Sequence, residues 1–126
     1  MAGSTVTTKA KNNMVMARSG DVQLAIIEGM AFGDGGVDSN DRVKPHSEDQ
    51  NALHHELLRK KVDGHTVISD TAVRYYCTLE KDELAGKYIS EVGLYDTNGN
   101  MVAMKAFLKK GKDDDVPTTY ECDDTF

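Results

Sequence analysis

Residues 88 to 104 read YISEVGLYDTNGNMVAM, and the fold of the chain turns on how this stretch is read. Two readings compete. Asp96, Asn98 and Asn100 stand at alternate positions beside Gly99, as at the start of a calcium loop. The same Asn98-Gly99 pair lies between two apolar runs, the mark of a β-hairpin. An EF-hand loop needs oxygen ligands at positions one, three and five, Gly at six and a bidentate Glu at twelve. Counted from Asp96, the sixth position is Met101, the twelfth is Phe107, and Gly99 comes too early. The calcium reading fails, so a hairpin over 88–108 is expected. Asn98 and Gly99 would supply the two positive-φ residues of a type I′ turn.

Such a turn sets a register. Ile89 would face Leu108, Glu91 would face Ala106, Gly93 would face Met104 and Tyr95 would face Val102. That face is apolar except for Glu91. A buried carboxylate without a partner is costly, so Glu91 is expected to meet Arg59, Arg74 or a buried backbone donor.

Working outward, residues 71–80, TAVRYYCTLE, alternate with period two and predict a half-buried antiparallel strand. Residues 118–126 add a last strand, after a charged loop at 109–117. Upstream, VQLAIIEGMAF at 22–32 reads as a strand with Gly29 at a bulge or bend. A long polar loop at 33–46 follows, of a length that is often functional. Residues 47–62, SEDQNALHHELLRKKV, carry helix signals throughout. Ser47 and Gln50 form a capping box. Acidic residues fill the first turn and basic ones the last. Leu53, Leu57 and Leu58 form a stripe, and Gly64 is placed as a stop. A first helix is expected at 7–19, capped by Thr7 or Thr8, with Ala10, Met14 and Ala17 on one face and Gly20 at its end. The expected fold is α+β in one domain, residues 1–126. A single antiparallel sheet of four or five strands, including the 88–108 hairpin, carries two helices, about 7–19 and 47–62.

The chain has 126 residues, enough to bury roughly two-thirds of its unfolded surface without staples. Net charge is −6, which argues against nucleic acid or an anionic membrane as partner. No apolar run reaches the ~20 residues of a membrane helix, and MAGSTVTTKAKNN has no signal-peptide core. A cytoplasmic site of synthesis is expected. Cys77 and Cys122 form no CxxC and have no His at zinc spacing. Two reduced thiols are expected, since a disulfide would require their strands to be neighbours.

Motifs for chemistry are weak. HHELL at 54–58 approaches the zincin HExxH, but Arg59 stands where the second His belongs. His54 and His55 would point about 100° apart on a helix. GDGG at 33–36 lacks both dinucleotide and phosphate-loop spacing and reads as turn residues. Asp113, Asp114 and Asp115 read as a solvated charge run. No catalytic, cofactor-binding or metal residues are assigned, and no cofactor is expected.

ISEVGLYDTNGNMVAM resembles a pattern shared by phage tail-collar fibre proteins and the N-terminal segments of contractile-tail fibres. The matching residues are Ile89, Glu91, Val92, Gly93, Leu94, Tyr95, Asp96, Gly99, Val102 and Ala103. FGDGG at 32–36 is similar to the GdG that follows that family's first strand. LHHELLRKKV at 53–62 is similar to its L..E..R helix, at Leu53, Glu56 and Arg59. The resemblance covers most of 7–108 in order, but a tail fibre continues into a shaft and a receptor-binding tip where this chain stops at Phe126.

The resemblance implies a structural protein of a bacteriophage, prophage or phage-like tail, without enzyme activity. It would be made in the host cytoplasm and carried in the virion. Its partners would be other tail, baseplate or fibre proteins, and related fibres imply a homotrimer. Glu91, Val92, Gly93, Leu94, Asp96, Asn98 and Gly99 would be the structural motif. The loop with Asp34, Asp38, Asp41 and Arg42, together with the acidic segment 113–124, would be the contact surface. Two other classes stay open. One is a small metal-dependent hydrolase built on Asp113–Asp115 and a histidine. The other is a small acidic regulatory or immunity-type binding protein.

Overall fold

A computed structural model describes residues 3–126. In chain order the elements are β1 (Thr5–Val6), α1 (Thr8–Arg18), β2 (Ile27–Gly33), β3 (Glu56–Lys61), β4 (Gly64–Ser69), β5 (Ala72–Leu79), β6 (Tyr88–Asp96), β7 (Met101–Gly111) and β8 (Thr118–Thr125). They build two antiparallel sheets. One has five strands in the order β1-β7-β6-β2-β3, and the other has three in the order β4-β5-β8.

The expected α+β fold is therefore corrected. The chain is mostly β, with 48% strand, 9% helix and two sheets instead of one. The sheets share a core. Met30, Phe32, Val92 and Leu94 of the larger sheet cluster with Cys77, Leu79, Tyr120 and Cys122 of the smaller one. Phe32 meets Tyr120 edge to face, with ring centroids 5.3 Å apart. Alternate residues of strands from both sheets thus point into one apolar layer, as sheet-on-sheet packing requires.

The second predicted helix is absent. Residues 56–61 are β3, paired antiparallel with β2, and residues 47–55 run as an irregular segment. The capping signals are used locally: the Gln50 amide donates to the Ser47 carbonyl, and the Gln50 side chain accepts from the Ser47 amide. One turn forms and stops there. The amides of His54 and His55 donate to the Glu91 side chain instead of to carbonyls four residues back. The leucines then separate. Leu53 packs with Ala31, Tyr95, Met101 and Met104 on the outer side of the large sheet. Leu57 and Leu58 pack against the core between the sheets. A tertiary partner outweighs helix propensity here, since propensity is only a few tenths of a kcal/mol per residue. Gly64 stops nothing. Val62 and Asp63 carry the chain from one sheet to the other, and Gly64 opens β4.

The first helix agrees with expectation. Thr7 is its N-cap, accepting from the Ala10 amide at 3.1 Å, and Gly20 ends it at φ +87°. The Gly29 bulge is present as a register shift in β2. The 88–108 hairpin is β6 and β7, and Glu91 faces Ala106 and Gly93 faces Met104 as expected. Its turn differs. Only Gly99 has a positive φ, +80°, so the turn is not type I′. Asp96 Oδ1 accepts the amides of Asn98 and Asn100 at 2.9 and 3.0 Å, which organises the turn through a side chain. A register shift places Tyr95 opposite Met101, and a second places Ile89 opposite Lys110.

Cys77 and Cys122 lie on neighbouring strands, yet Cys77 faces Tyr120 and Cys122 faces Tyr75. The thiols are diagonal, buried and free. No helix among the described residues is long and apolar enough to cross a membrane.

Candidate functional site

The most built-up polar site is centred on Glu91. β6 is an interior strand, between β7 and β2, and alternation turns Glu91, Gly93 and Tyr95 toward its outer face. That face is covered by the segment between β2 and β3. Glu91 is fully buried. Its Oε1 accepts from the His54 amide and pairs with His46 Nε2, both at 2.8 Å. Its Oε2 accepts from the His55 amide at 2.8 Å and the Gly35 amide at 3.0 Å. Four donors satisfy the carboxylate, which removes most of the cost of burying it. The ionised carboxylate only accepts, so His46 Nε2 carries the hydrogen. Burial alone pushes the Glu91 pKa up. The His46 ring and the amides of His55, His54 and Gly35 outweigh it, and the net pKa is lowered.

Neighbouring contacts extend this anchor. Ser90 Oγ accepts from the Gly36 amide at 2.8 Å. A side chain at Gly36 would collide with the Ser90 carbonyl, so the GDGG glycines permit close approach of loop to strand. At Gly93 an added Cβ would lie 2.9 Å from Met101 Sδ and 3.2 Å from both Leu53 Cδ2 and the Ala103 carbonyl. Leu53 and Gly93 thus fit together. His46, itself buried, stacks on His54 with centroids 4.5 Å apart and planes 14° apart. His54 Nε2 lies 3.0 Å from the Lys44 carbonyl.

His46, His54 and Glu91 are close enough to suggest a cation site, but their geometry does not fit one. An imidazole binds a metal in its ring plane, at about 2.0–2.1 Å. Two nearly parallel stacked rings share no such point, and both Glu91 oxygens already accept two hydrogen bonds. The cluster fastens the loop and offers no open coordination position. Asp113, Asp114 and Asp115 are exposed, and Asp113 Oδ1 accepts the Asp115 amide at 2.8 Å in a local turn.

The other expected residues fall into place around this centre. Of the three partners expected for Glu91, buried backbone donors are present. Arg59 instead pairs with Glu56 at 2.8 Å and lies over the Tyr95 ring at 4.5 Å. Arg74 pairs with Asp123 at 2.9 Å. Val92 and Leu94 are core residues, while Asp96, Asn98 and Gly99 form the hairpin turn. Asp34 pairs with His55. Asp38 Oδ1 accepts the amides of Asn40 and Arg42 at 2.8 and 3.0 Å, which shapes the loop tip. Asp41 sits there at φ +60° and pairs with Lys109 at 3.2 Å. Arg42 is exposed.

Two buried polar residues, His46 and Lys112, carry no signal in the sequence. His46 was part of a polar loop, with no local signal of burial. Lys112 lay in a charged run, yet it is only 2% exposed, and its Nζ donates to the carbonyls of Glu80, Lys81 and Asp113 at 2.7, 3.2 and 2.9 Å.

Compared with family models, with curated proteins and with solved structures, the chain finds no match.

Proposed function

We propose that the chain is a structural component of a bacteriophage or phage-like tail, joining fibre to baseplate or collar by protein–protein assembly. One observation carries this reading. The three separated stretches that resemble the tail-fibre pattern converge around one strand. FGDGG reaches Glu91 through the Gly35 amide and Ser90 through the Gly36 amide. Leu53, which opens LHHELLRKKV, packs against Gly93. EVGLYD supplies the strand itself. Residues that look unrelated in sequence act as one unit, as they would if the pattern specified a scaffold. The L..E..R stretch does so as a loop and strand, not as a helix.

Fastening at Glu91 leaves the loop tip at Asp38, Asp41 and Arg42 exposed and shaped, which suits a contact surface. The test is binding of the purified full chain to the tail and baseplate proteins encoded beside its gene, with immunogold labelling of assembled particles. Saturable binding, weakened by Asp38→Ala with Arg42→Ala, and gold at the tail support the reading. No binding to any of those proteins and no label on particles overturn it. Trimerisation, implied by the same resemblance, is read from the mass in solution by light scattering.

A further inference from the structure

Asp124, near the end of β8, is the least provided-for carboxylate among the described residues. Its Oδ1 is sealed from solvent and has no hydrogen-bond partner. No cation among the described residues pairs with it, whereas its neighbour Asp123 is held by Arg74. Burial pushes the Asp124 pKa up, as expected of a carboxyl that lacks donors. Glu91 shows what the same chain does with a carboxylate that serves structure: it surrounds it with four donors.

Asp124 also lines a pocket of about 260 Å³ at the open end of the core, between α1, the segment 24–27 and β8. Ala10, Met14, Leu24, Ile26, Val102 and Phe126 give the walls an apolar character. Leu24, Ile26 and Phe126 are 53%, 67% and 60% exposed, so the rim is apolar and open to an incoming group. The remaining polar wall consists of Tyr75, Asn13 and Asp96. Asn13 Oδ1 is occupied by the Ala25 amide at 3.0 Å, and Asp96 Oδ1 by its own turn. An apolar cleft with a carboxylate in its wall that no protein donor engages, and no cationic side chain among the described residues of its lining, is complementary to one chemical class. From this pocket we infer a binding site for an organic ammonium: an alkyl or aryl body against the apolar wall and an N⁺–H group donating to Asp124 through Oδ2, the oxygen that is not sealed. A charge-assisted bond of this kind is among the stronger single contacts a small site can make. The group could be a free amine or the side chain of a lysine, which share this chemistry. The pocket is separate from the loop tip proposed for assembly, so failure of either assignment leaves the other standing.

The test titrates the full chain with benzylammonium and, in parallel, with benzyl alcohol, following backbone and Asp124 carboxyl resonances by NMR. Benzylammonium is expected to give saturable shifts at Ala10, Leu24, Ala25 and Asp124. It should bind at least about tenfold more tightly than the uncharged alcohol, the factor for one charged hydrogen bond. Asp124→Asn should remove that preference. Ala25→Phe, which keeps the carboxylate and fills the pocket, should weaken both probes. A third titration with Nα-acetyl-lysine methylamide separates the sources: binding matching benzylammonium points to a lysine side chain, and weaker binding to a free amine. Equal affinity for amine and alcohol, shifts elsewhere on the surface, or no saturable binding of benzylammonium to the unmodified chain overturns the assignment.

Discussion

Glu91 shows how a single residue can be legible in the sequence while its partners are not. Alternation in YISEVGLYD places a carboxylate on an apolar face, and burial energetics demand donors for it. The donors are backbone amides of Gly35, His54 and His55, and no side-chain pattern marks an amide as free. Replacing Glu91 with Gln puts an NH₂ group among four donors and removes the charge. The expected loss is about 2–4 kcal/mol of unfolding free energy, measured by denaturant titration; a loss under about 0.5 kcal/mol would mean a solvated side chain. The pH dependence follows from the lowered pKa. The unfolded chain binds this proton more readily, so the contribution of Glu91 is complete above the ordinary glutamate value near ~4.3. It is lost as pH falls through the lower folded value. The stability difference between the natural chain and Glu91→Gln should therefore shrink as pH falls through that acid range. At Gly93, an added methyl meets the Ala103 carbonyl and Met101 Sδ. Gly93→Ala is expected to cost about 1–3 kcal/mol by the same measurement.

Element by element, the sequence is readable where local and tertiary demands agree. β5, β6, β7, β8 and α1 all stand close to the positions that periodicity and capping assign. In SEDQNALHHELLRKKV the two conflict. Its capping box, charge gradient and leucine stripe favour a helix, whereas Glu91 draws away the amides of His54 and His55 and β2 offers a strand partner to 56–61. β4, burying little of its surface, carries almost no pattern to read. Lys112 illustrates the same gap. Its three carbonyl partners come from the 80–81 segment and from Asp113, so it ties the end of β7 to the β5–β6 connection. Lys112→Met keeps the stem but strands those carbonyls. It is expected to cost about 1–3 kcal/mol and to loosen residues 80–87 in hydrogen exchange, leaving β2 and β6 unchanged.

The whole molecule is two sheets closed on a common core, with the 33–55 segment fastened over the outer face of the larger one. The inner layer contains both thiols, and burial pushes Cys77 up to about 11 and Cys122 up to about 12. Neither should react with iodoacetamide in the native state at mildly alkaline pH, and both should react in denaturant. The two-sheet division is hard to read from sequence, because only Val62 and Asp63 separate β3 from β4, and the Gly64 that follows them reads equally well as a helix stop. The loop over β6 distinguishes this architecture from a bare sandwich, and its fastening depends on one carboxylate. Residue-resolved amide exchange on the natural chain and on Glu91→Gln reads that dependence directly. The amides of Gly35, His54 and His55 should be protected in the natural chain and exchange rapidly in the variant, while those of β5 and β8 keep their protection. Rapid exchange of the three amides in the natural chain, or unchanged protection in the variant, would contradict the fastening of this loop by Glu91.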